Sequence, residues 1–316
     1  MISKSQFRLL SYLIDKSERE VPISTLADRL GWNAGHTSRV VSELEARGCV
    51  RTTSVGRQKL VTLSEIEPVE QLEALITEYG HVDFAELVAG SGLQLLYYLD
   101  RRRTATELTE LSDLSRATVY RRLNDLQAVG VIGKSKSHYL LNEPFSSLSS
   151  IARGLAHHEH RREAERYADG VNILWETHEE YLIACDSEIS DDGFHLTGPS
   201  LFAEYGIPLL TRSRQHYFRS DRITAVSPAE LVCHTLLIDD GSRYRTYSLL
   251  LIQKEAIEQA PLKECAEYYD PEADIDLLAI VDKLVEYLDS KGAVTSDRLP
   301  AWEEFKSTAT DYEINV

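Results

Sequence analysis

Cysteine is scarce in this 316-residue chain, and the four present (Cys49, Cys185, Cys233 and Cys265) lie far apart with no Cys-x-x-Cys pair. That spacing suggests neither a zinc site nor a disulfide framework, so they read as reduced, mostly buried thiols, with no cofactor expected. Long apolar runs are missing too. The stretch Tyr247 to Ile252 falls far short of the ~20 residues that span a bilayer. The opening Met1-Ile2-Ser3-Lys4-Ser5 reads as the start of a polar helix and not as a signal sequence. A cytoplasmic location with no membrane partner is the expectation. Lysine is sparse as well, 10 residues against 24 arginines.

What the chain has is acid, unevenly placed. The net charge is −17, which argues against a nucleic-acid partner until it is divided along the chain. Residues 1–145 carry 18 Lys+Arg against 19 Asp+Glu, whereas the remainder carries 16 against 32. A near-neutral half can present a basic face to phosphate if its acids lie elsewhere; the C-terminal half should repel DNA. The acidic, lysine-poor composition resembles that of proteins from salt-accumulating haloarchaea. At 43% hydrophobic residues the chain can bury a core in each of two or three domains.

The first half repeats itself. Residues Leu26 to Val50 lie over Leu108 to Ile132 without gaps at an offset of 82: Thr37 falls on Val119, Val41 on Leu123, Leu44 on Leu126 and Gly48 on Gly130. Upstream, Leu9 to Leu13 matches Leu95 to Leu99 at an offset of 86, a difference that belongs in a loop. Each copy reads as helix, connection, helix, turn, helix and two strands. In the first, a helix spans Gln6 to Lys16, Ser24 caps a second helix ending at Leu30, and Gly31-Trp32-Asn33 turns into a third from Ala34 to Arg47. Gly48 stops it, and strands Cys49 to Thr53 and Lys59 to Leu63 flank the turn Ser54 to Arg57. In the second copy Gly133 to Ser137 forms the hairpin tip. Thr37, Val41 and Leu44 recur at helical spacing and face inward, which leaves His36, Ser38 and Arg39 outward. Likewise Val119, Leu123 and Leu126 make an inner stripe, with Ser115, Arg116, Thr118, Tyr120 and Arg121 outside.

This order resembles the winged helix-turn-helix units of MarR, IclR and TrmB-type regulators, whose third helix commonly reads T-x-S-R-x-x-x-x-L-x-x-x-G-x-[VI]. His36-Thr37-Ser38-Arg39 through Leu44, Gly48 and Val50 carries the resemblance in one copy, Thr118-Val119-Tyr120-Arg121 through Leu126, Gly130 and Ile132 in the other. It covers residues 3–66 and 88–142, and the first copy departs from the pattern at His36. The resemblance implies a third helix in the major groove of double-stranded DNA, small polar and Arg side chains reaching base edges. His36 and Arg39 are then expected at bases or nearby phosphates, Ser38 at phosphate, and Arg57 and Lys59 at phosphate or minor groove. In the second copy Arg116, Arg121 and Arg122 surround Thr118 and Tyr120, Ser115 lies on the same outward side toward DNA, and Lys134 and Lys136 form the tip. Arg101-Arg102-Arg103 is explained by the charge preference of a helix C-terminus.

The expected organisation is α+β: a winged helix-turn-helix domain at 1–66, a helical linker at 67–87, a second such domain at 88–145, a connecting helix at 146–170, and an acidic α+β domain at 171–316. In the linker, Val69, Leu72, Leu75 and Ile76 recur at helical spacing after Pro68. His157-His158-Glu159-His160 lies on the connecting helix as a solvated face, no metal being expected. Beyond it, Asn172 to Trp175, Glu180 to Ala184 and Gln215 to Phe218 read as strands. Helices are expected over Leu201 to Tyr205, Ser227 to Ile238, Arg243 to Lys254 and Asp274 to Ser290. Thr197-Gly198-Pro199-Ser200 to Gly206, then Val226 to Leu231, resembles the C-terminal domain of AbiEi-class antitoxins, itself related to nucleotidyltransferases. Asp274-Ile275-Asp276 is the one Asp-x-Asp pair able to hold a divalent ion, but it lies too far from Gly198 for that chemistry, and Asp274 fits a helix cap. The leading expectation is a non-enzymatic transcriptional regulator, a repressor with antitoxin-like autoregulation. It would act as a homodimer, its acidic half receiving a cognate protein or small-molecule effector. A nucleotidyltransferase-like enzyme, or an adaptor whose winged units no longer bind DNA, are the alternatives.

Overall fold

The computed structural model describes residues 2–15, 20–209 and 214–316, and it divides into two compact units, Met1–Arg162 and Glu163–Val316. Helices and small antiparallel sheets are mixed in both. No helix among the described residues is long and apolar enough to cross a membrane.

The first unit contains one arrangement twice. Helices α1 (Lys4–Asp15), α2 (Ile23–Leu30) and α3 (Ala34–Ala46) are joined by strands β1 (Val21–Pro22), β2 (Val50–Val55) and β3 (Gln58–Leu63), paired antiparallel in the order β1-β3-β2. The expected end of the first helix at Lys16 lies outside the described residues. Next come α4 (Glu67–Glu78) and the short α5 (Phe84–Leu87). The arrangement then recurs as α6 (Ser91–Tyr97), β4 (Arg103–Thr104), α7 (Ala105–Ser112), α8 (Arg116–Ala128), β5 (Ile132–Ser135) and β6 (His138–Leu141), with sheet order β4-β6-β5. A final helix α9 (Ser147–Ala164) packs beside the linker helix, where Gly154 admits Pro68.

Apolar periodicity explains the third helix of each copy. Thr37, Val40, Val41 and Leu44 of α3 and Val119, Leu123 and Leu126 of α8 are all buried. Start signals are less literal. Ser24 does not cap α2; the extended Pro22 precedes Ile23, because Val21 and Pro22 pair with β3 and bring the chain into the helix two residues earlier. At the corresponding place in the second copy, Thr104 and Glu107 form a reciprocal capping box.

Both third helices end at a glycine with a positive φ, +74° at Gly48 and +77° at Gly130, but their surroundings differ. Gly130 has open space where a Cβ would stand, whereas at Gly48 that space is filled by His158 and Arg162 of α9. Arg162 donates to the Ala46 carbonyl at 3.1 Å, and Arg47 pairs with Glu159. Helix α9 therefore clamps the end of α3, and His158, Glu159 and His160 are not a simply solvated face: His160 itself is buried.

The second unit is built on a four-stranded antiparallel sheet, β7 (Asn172–Glu176), β8 (Tyr181–Cys185), β9 (Phe194–Thr197) and β10 (Gln215–Arg219), in the order β7-β8-β10-β9. Side chains of β8 alternate between two cores. Leu182 joins the larger, helix-lined one, while Tyr181, Ile183 and Cys185 join a smaller cluster with Ala164, Phe194 and Tyr217. The helices are α10 (Pro228–Ile238), α11 (Ser242–Lys254), α12 (Gln259–Tyr269), α13 (Leu277–Asp289) and α14 (Trp302–Asp311). Helix α10 is buried from Ala229 to Leu236 without a polar side, as a central helix must be. Two expectations are corrected here. Leu201 to Tyr205 belongs to a 3-10 turn spanning Gly198–Tyr205, and α13 is capped by Asp276, which accepts from Ala279 N at 3.0 Å, in place of Asp274.

Polar groups are threaded through this second core. Glu180 accepts hydrogen bonds from the hydroxyls of Ser220 and Tyr268 and from Arg222 Nε at 3.3 Å. The Arg222 guanidinium lies 4.3 Å from the Tyr268 ring centre and 3.6 Å from Glu230. Nearby His234, fully buried, meets Thr197 Oγ1 through Nδ1 at 2.9 Å. Burial, helped by the Arg222 charge, lowers its pKa to about 3, and burial lowers that of His216 to about 4.

Two outcomes follow from these packings. Substituting alanine at either glycine incurs the ~1–2 kcal/mol penalty of left-handed backbone, but Gly48→Ala must also push aside the His158 and Arg162 side chains of α9. Urea denaturation should accordingly show Gly48→Ala losing at least about twice as much stability as Gly130→Ala. For the buried histidines, the unfolded chain takes up protons below its ordinary value near 6.5 while the folded chain does not. Stability is thus fully present above that pH and falls on acidification toward pH 4, by up to ~1.4 kcal/mol per pH unit for His234. Denaturant midpoints at pH 7 and pH 5 should reveal the loss, and His234→Gln should flatten it.

Candidate nucleic-acid interface

Helix α3 begins where Asn33 accepts a hydrogen bond from His36 N at 2.8 Å. Thr37 turns inward, its hydroxyl donating to the Asn33 carbonyl at 3.1 Å, and this fixes the opposite side outward. There, His36 meets the Trp32 ring edge-on with centroids 4.8 Å apart, and Arg39 Nη2 lies 3.1 Å from His36 Nδ1. Arg8 of α1 lies over the other side of this group, 5.9 Å from the Trp32 ring centre. Ser38 is exposed beside them. Arg8 and Trp32 were not expected here; the only sequence cue is that Arg8 lies on the solvent side of α1, flanked by buried Phe7 and Leu9.

The β2–β3 hairpin projects next to α3. Its tip, Val55-Gly56-Arg57, is exposed, with Gly56 at φ +62°. Arg57 stands there as expected. Lys59 does not: its Nζ is 3.3 Å from Glu45 Oε2, and Glu45 also accepts from Thr52 N at 3.1 Å and from the Thr52 hydroxyl. The Thr52 hydrogen bond and the Lys59 charge lower the Glu45 pKa. Lys59 thus fastens the hairpin to α3.

In the second copy Ser115 caps α8, accepting from Thr118 N at 3.2 Å, and its hydroxyl lies 2.9 Å from that of Thr118. These two groups are spent on the helix start before any ligand arrives. Arg116 stacks over Tyr120, 5.7 Å from the ring centre, and Arg121 is exposed beside them. Tyr120 is 38% exposed. Contrary to expectation Lys134 is not at the tip: it lies within β5, paired with Tyr139 of β6 and 4.9 Å from that ring's centre, a contact that raises its pKa, and Lys136 occupies the turn at φ +56°.

Arg122 departs from expectation. It is half-buried and turned into the bend between α5 and α6, where it donates to Ser91 Oγ at 2.8 Å, Glu86 O at 3.1 Å and Ala89 O at 3.3 Å. Three hydrogen bonds to a folded loop remove it from the outward set. A cue lay in its place three residues after Val119 and directly before Leu123, on the flank of the inner stripe.

Charge favours this unit over the other for a phosphate partner. Residues 1–162 carry 21 Lys+Arg against 20 Asp+Glu, residues 163–316 carry 13 against 31. No group of three or more His, Cys, Asp or Glu side chains able to hold a metal ion occurs among the described residues.

Two family descriptions match parts of the chain. One, HVO_2833_C, C-terminal, matches residues 191–314 in the second unit; the other, a domain of unknown function (DUF7343), matches residues 12–64 of the first copy. No curated protein and no solved structure matches.

Because Arg122 serves the fold and Arg121 stands outside, their alanine variants should separate. Arg122→Ala leaves two carbonyls and a hydroxyl short of a charged donor and is expected to lower stability by ~1.5–3 kcal/mol. Arg121→Ala should change the urea midpoint negligibly.

Proposed function

We propose that the chain is a cytoplasmic, sequence-specific DNA-binding transcriptional regulator whose first unit holds two winged helix-turn-helix modules in tandem. One observation carries this reading: in both copies a buried apolar stripe turns the third helix so that a compact cationic-aromatic group faces outward beside an antiparallel hairpin. That group is His36 and Arg39 of α3 with Trp32 of the preceding turn, and Arg116, Tyr120 and Arg121 of α8. A helix is the element that the ~12 Å major groove admits, and arginine is the side chain that pairs with guanine in two places. In α8 the Tyr120 ring restrains the Arg116 guanidinium, which lowers the entropy lost when it meets a base or phosphate.

The second unit, with its excess of 18 acids over bases, is repelled by DNA and is left for another role, the reception of a protein or small-molecule signal. The Asp274-Ile275-Asp276 pair gives no support to an enzyme reading, since Asp276 is engaged as a helix cap.

The test is fluorescence anisotropy of the full chain on a labelled duplex from its own upstream region and on a shuffled duplex of equal length. Preference for the upstream duplex is expected. Arg116→Ala with Arg121→Ala should weaken binding about tenfold or more, and lower the slope of log affinity against log salt by ~0.9 for each phosphate that is no longer neutralised. Equal binding to both duplexes, or an unchanged affinity in the double variant and in Arg39→Ala, overturns the reading.

A further inference from the structure

The first unit also holds a groove of about 730 Å³, bounded by α1, the C-terminal end of α4 and α5. Its volume lies within the ~300–1,000 Å³ range of small-molecule sites. At its floor Ile14, Ile76 and Phe84 present the edge of the buried core, and Ser11, Tyr12 and Thr77 add polar lining beside them. Among the described residues its rim carries the exposed carboxylates of Asp15, Glu73 and Asp83, against the one cation Arg8. Asp83 is already oriented, since it caps α5 by accepting from Glu86 N at 3.1 Å. Three carboxylates above a partly apolar floor attract a positive charge, repel an anion and reward an apolar body.

The geometry points to this groove as the binding site of a small organic cation, a protonated amine bearing an aromatic or branched aliphatic body. The body covers Ile14, Ile76 and Phe84, and the ammonium group lies among the rim carboxylates. Arg8 connects the site to the outward face of α3. Its guanidinium lies over Trp32, Trp32 contacts His36, and His36 contacts Arg39. An ammonium arriving beside Arg8 repels it and disturbs the group formed by these rings and Arg39. That second step rests on the DNA-binding reading above; occupation of the groove does not.

The experiment is isothermal titration calorimetry on the full chain at low salt with phenethylamine as the probe, compared with 3-phenylpropionate and phenylalanine. Saturable binding of phenethylamine at one site is expected, with none for 3-phenylpropionate and weaker binding for phenylalanine. The double variant Asp15→Asn and Glu73→Gln, whose thermal melt should match the parent because both side chains are exposed, is expected to weaken the amine about tenfold. Arg8→Gln should strengthen it. Absence of saturable binding, an unchanged affinity in the double variant, or tighter binding of phenylalanine than of phenethylamine overturns the assignment. Anisotropy then reads the coupling: phenethylamine should shift duplex affinity in the parent and leave it unshifted in Trp32→Leu, which keeps amine binding. A chain that binds the amine but no duplex defeats the regulatory reading and leaves the site standing; an unshifted duplex affinity in the parent defeats the coupling.

Discussion

A helix offers its polar side reliably to a partner only when its apolar side is held, and here the holding is done by few residues. Val40, Val41 and Leu44 in α3, and Val119, Leu123 and Leu126 in α8, are each essentially inaccessible to water. Truncating one such side chain typically costs ~2–5 kcal/mol, a large part of the margin of a whole domain. The hairpins depend on the same seating. Cys49 and Val131, the residues leading from third helix to hairpin, are buried, and Glu45 ties α3 to Thr52 and Lys59 on the two hairpin strands. Outward arginines, hairpin tip and helix axis are therefore set together.

That seating was legible in the sequence because it obeys a period. Leucine and valine at three- and four-residue spacing, closed by Gly48 or Gly130, place the third helix to within a residue or two at each end. What was not legible depends on segments distant in sequence. Arg122 reads as outward until the bend between α5 and α6, about 30 residues earlier, is folded over it. Lys59 reads as a free tip cation until Glu45 is beside it. Helices α12 and α14 were missed: α12 has only Leu262, Ala266 and Tyr269 buried, and α14 only Phe305 and Ala309. Such sparse stripes are recruited by neighbours and leave little trace in local pattern.

The second unit solves a different problem. An acidic exterior repels itself, and cohesion must come from inside. The carboxylates of Glu180 and Glu230, both nearly sealed from water, lie with Arg222 between them, and Glu180 gains two hydroxyl donors. Removing one member of such a cluster leaves an uncompensated buried charge, which is strongly destabilising. Trp175 adds a further tie, its indole N–H donating to the Tyr269 carbonyl at 3.1 Å.

The clamp that α9 places on one third helix and not on its twin also bears on how the repeat changes over generations. Residues in the closing turn of α3 have a fixed neighbour, so a replacement there survives only if His158 or Arg162 changes with it. In α8 the same turn faces solvent, with Val129 and Gly130 exposed, and a replacement needs no accomplice. The closing turn of one copy must therefore suit an outside helix, whereas that of the other answers only to its own module.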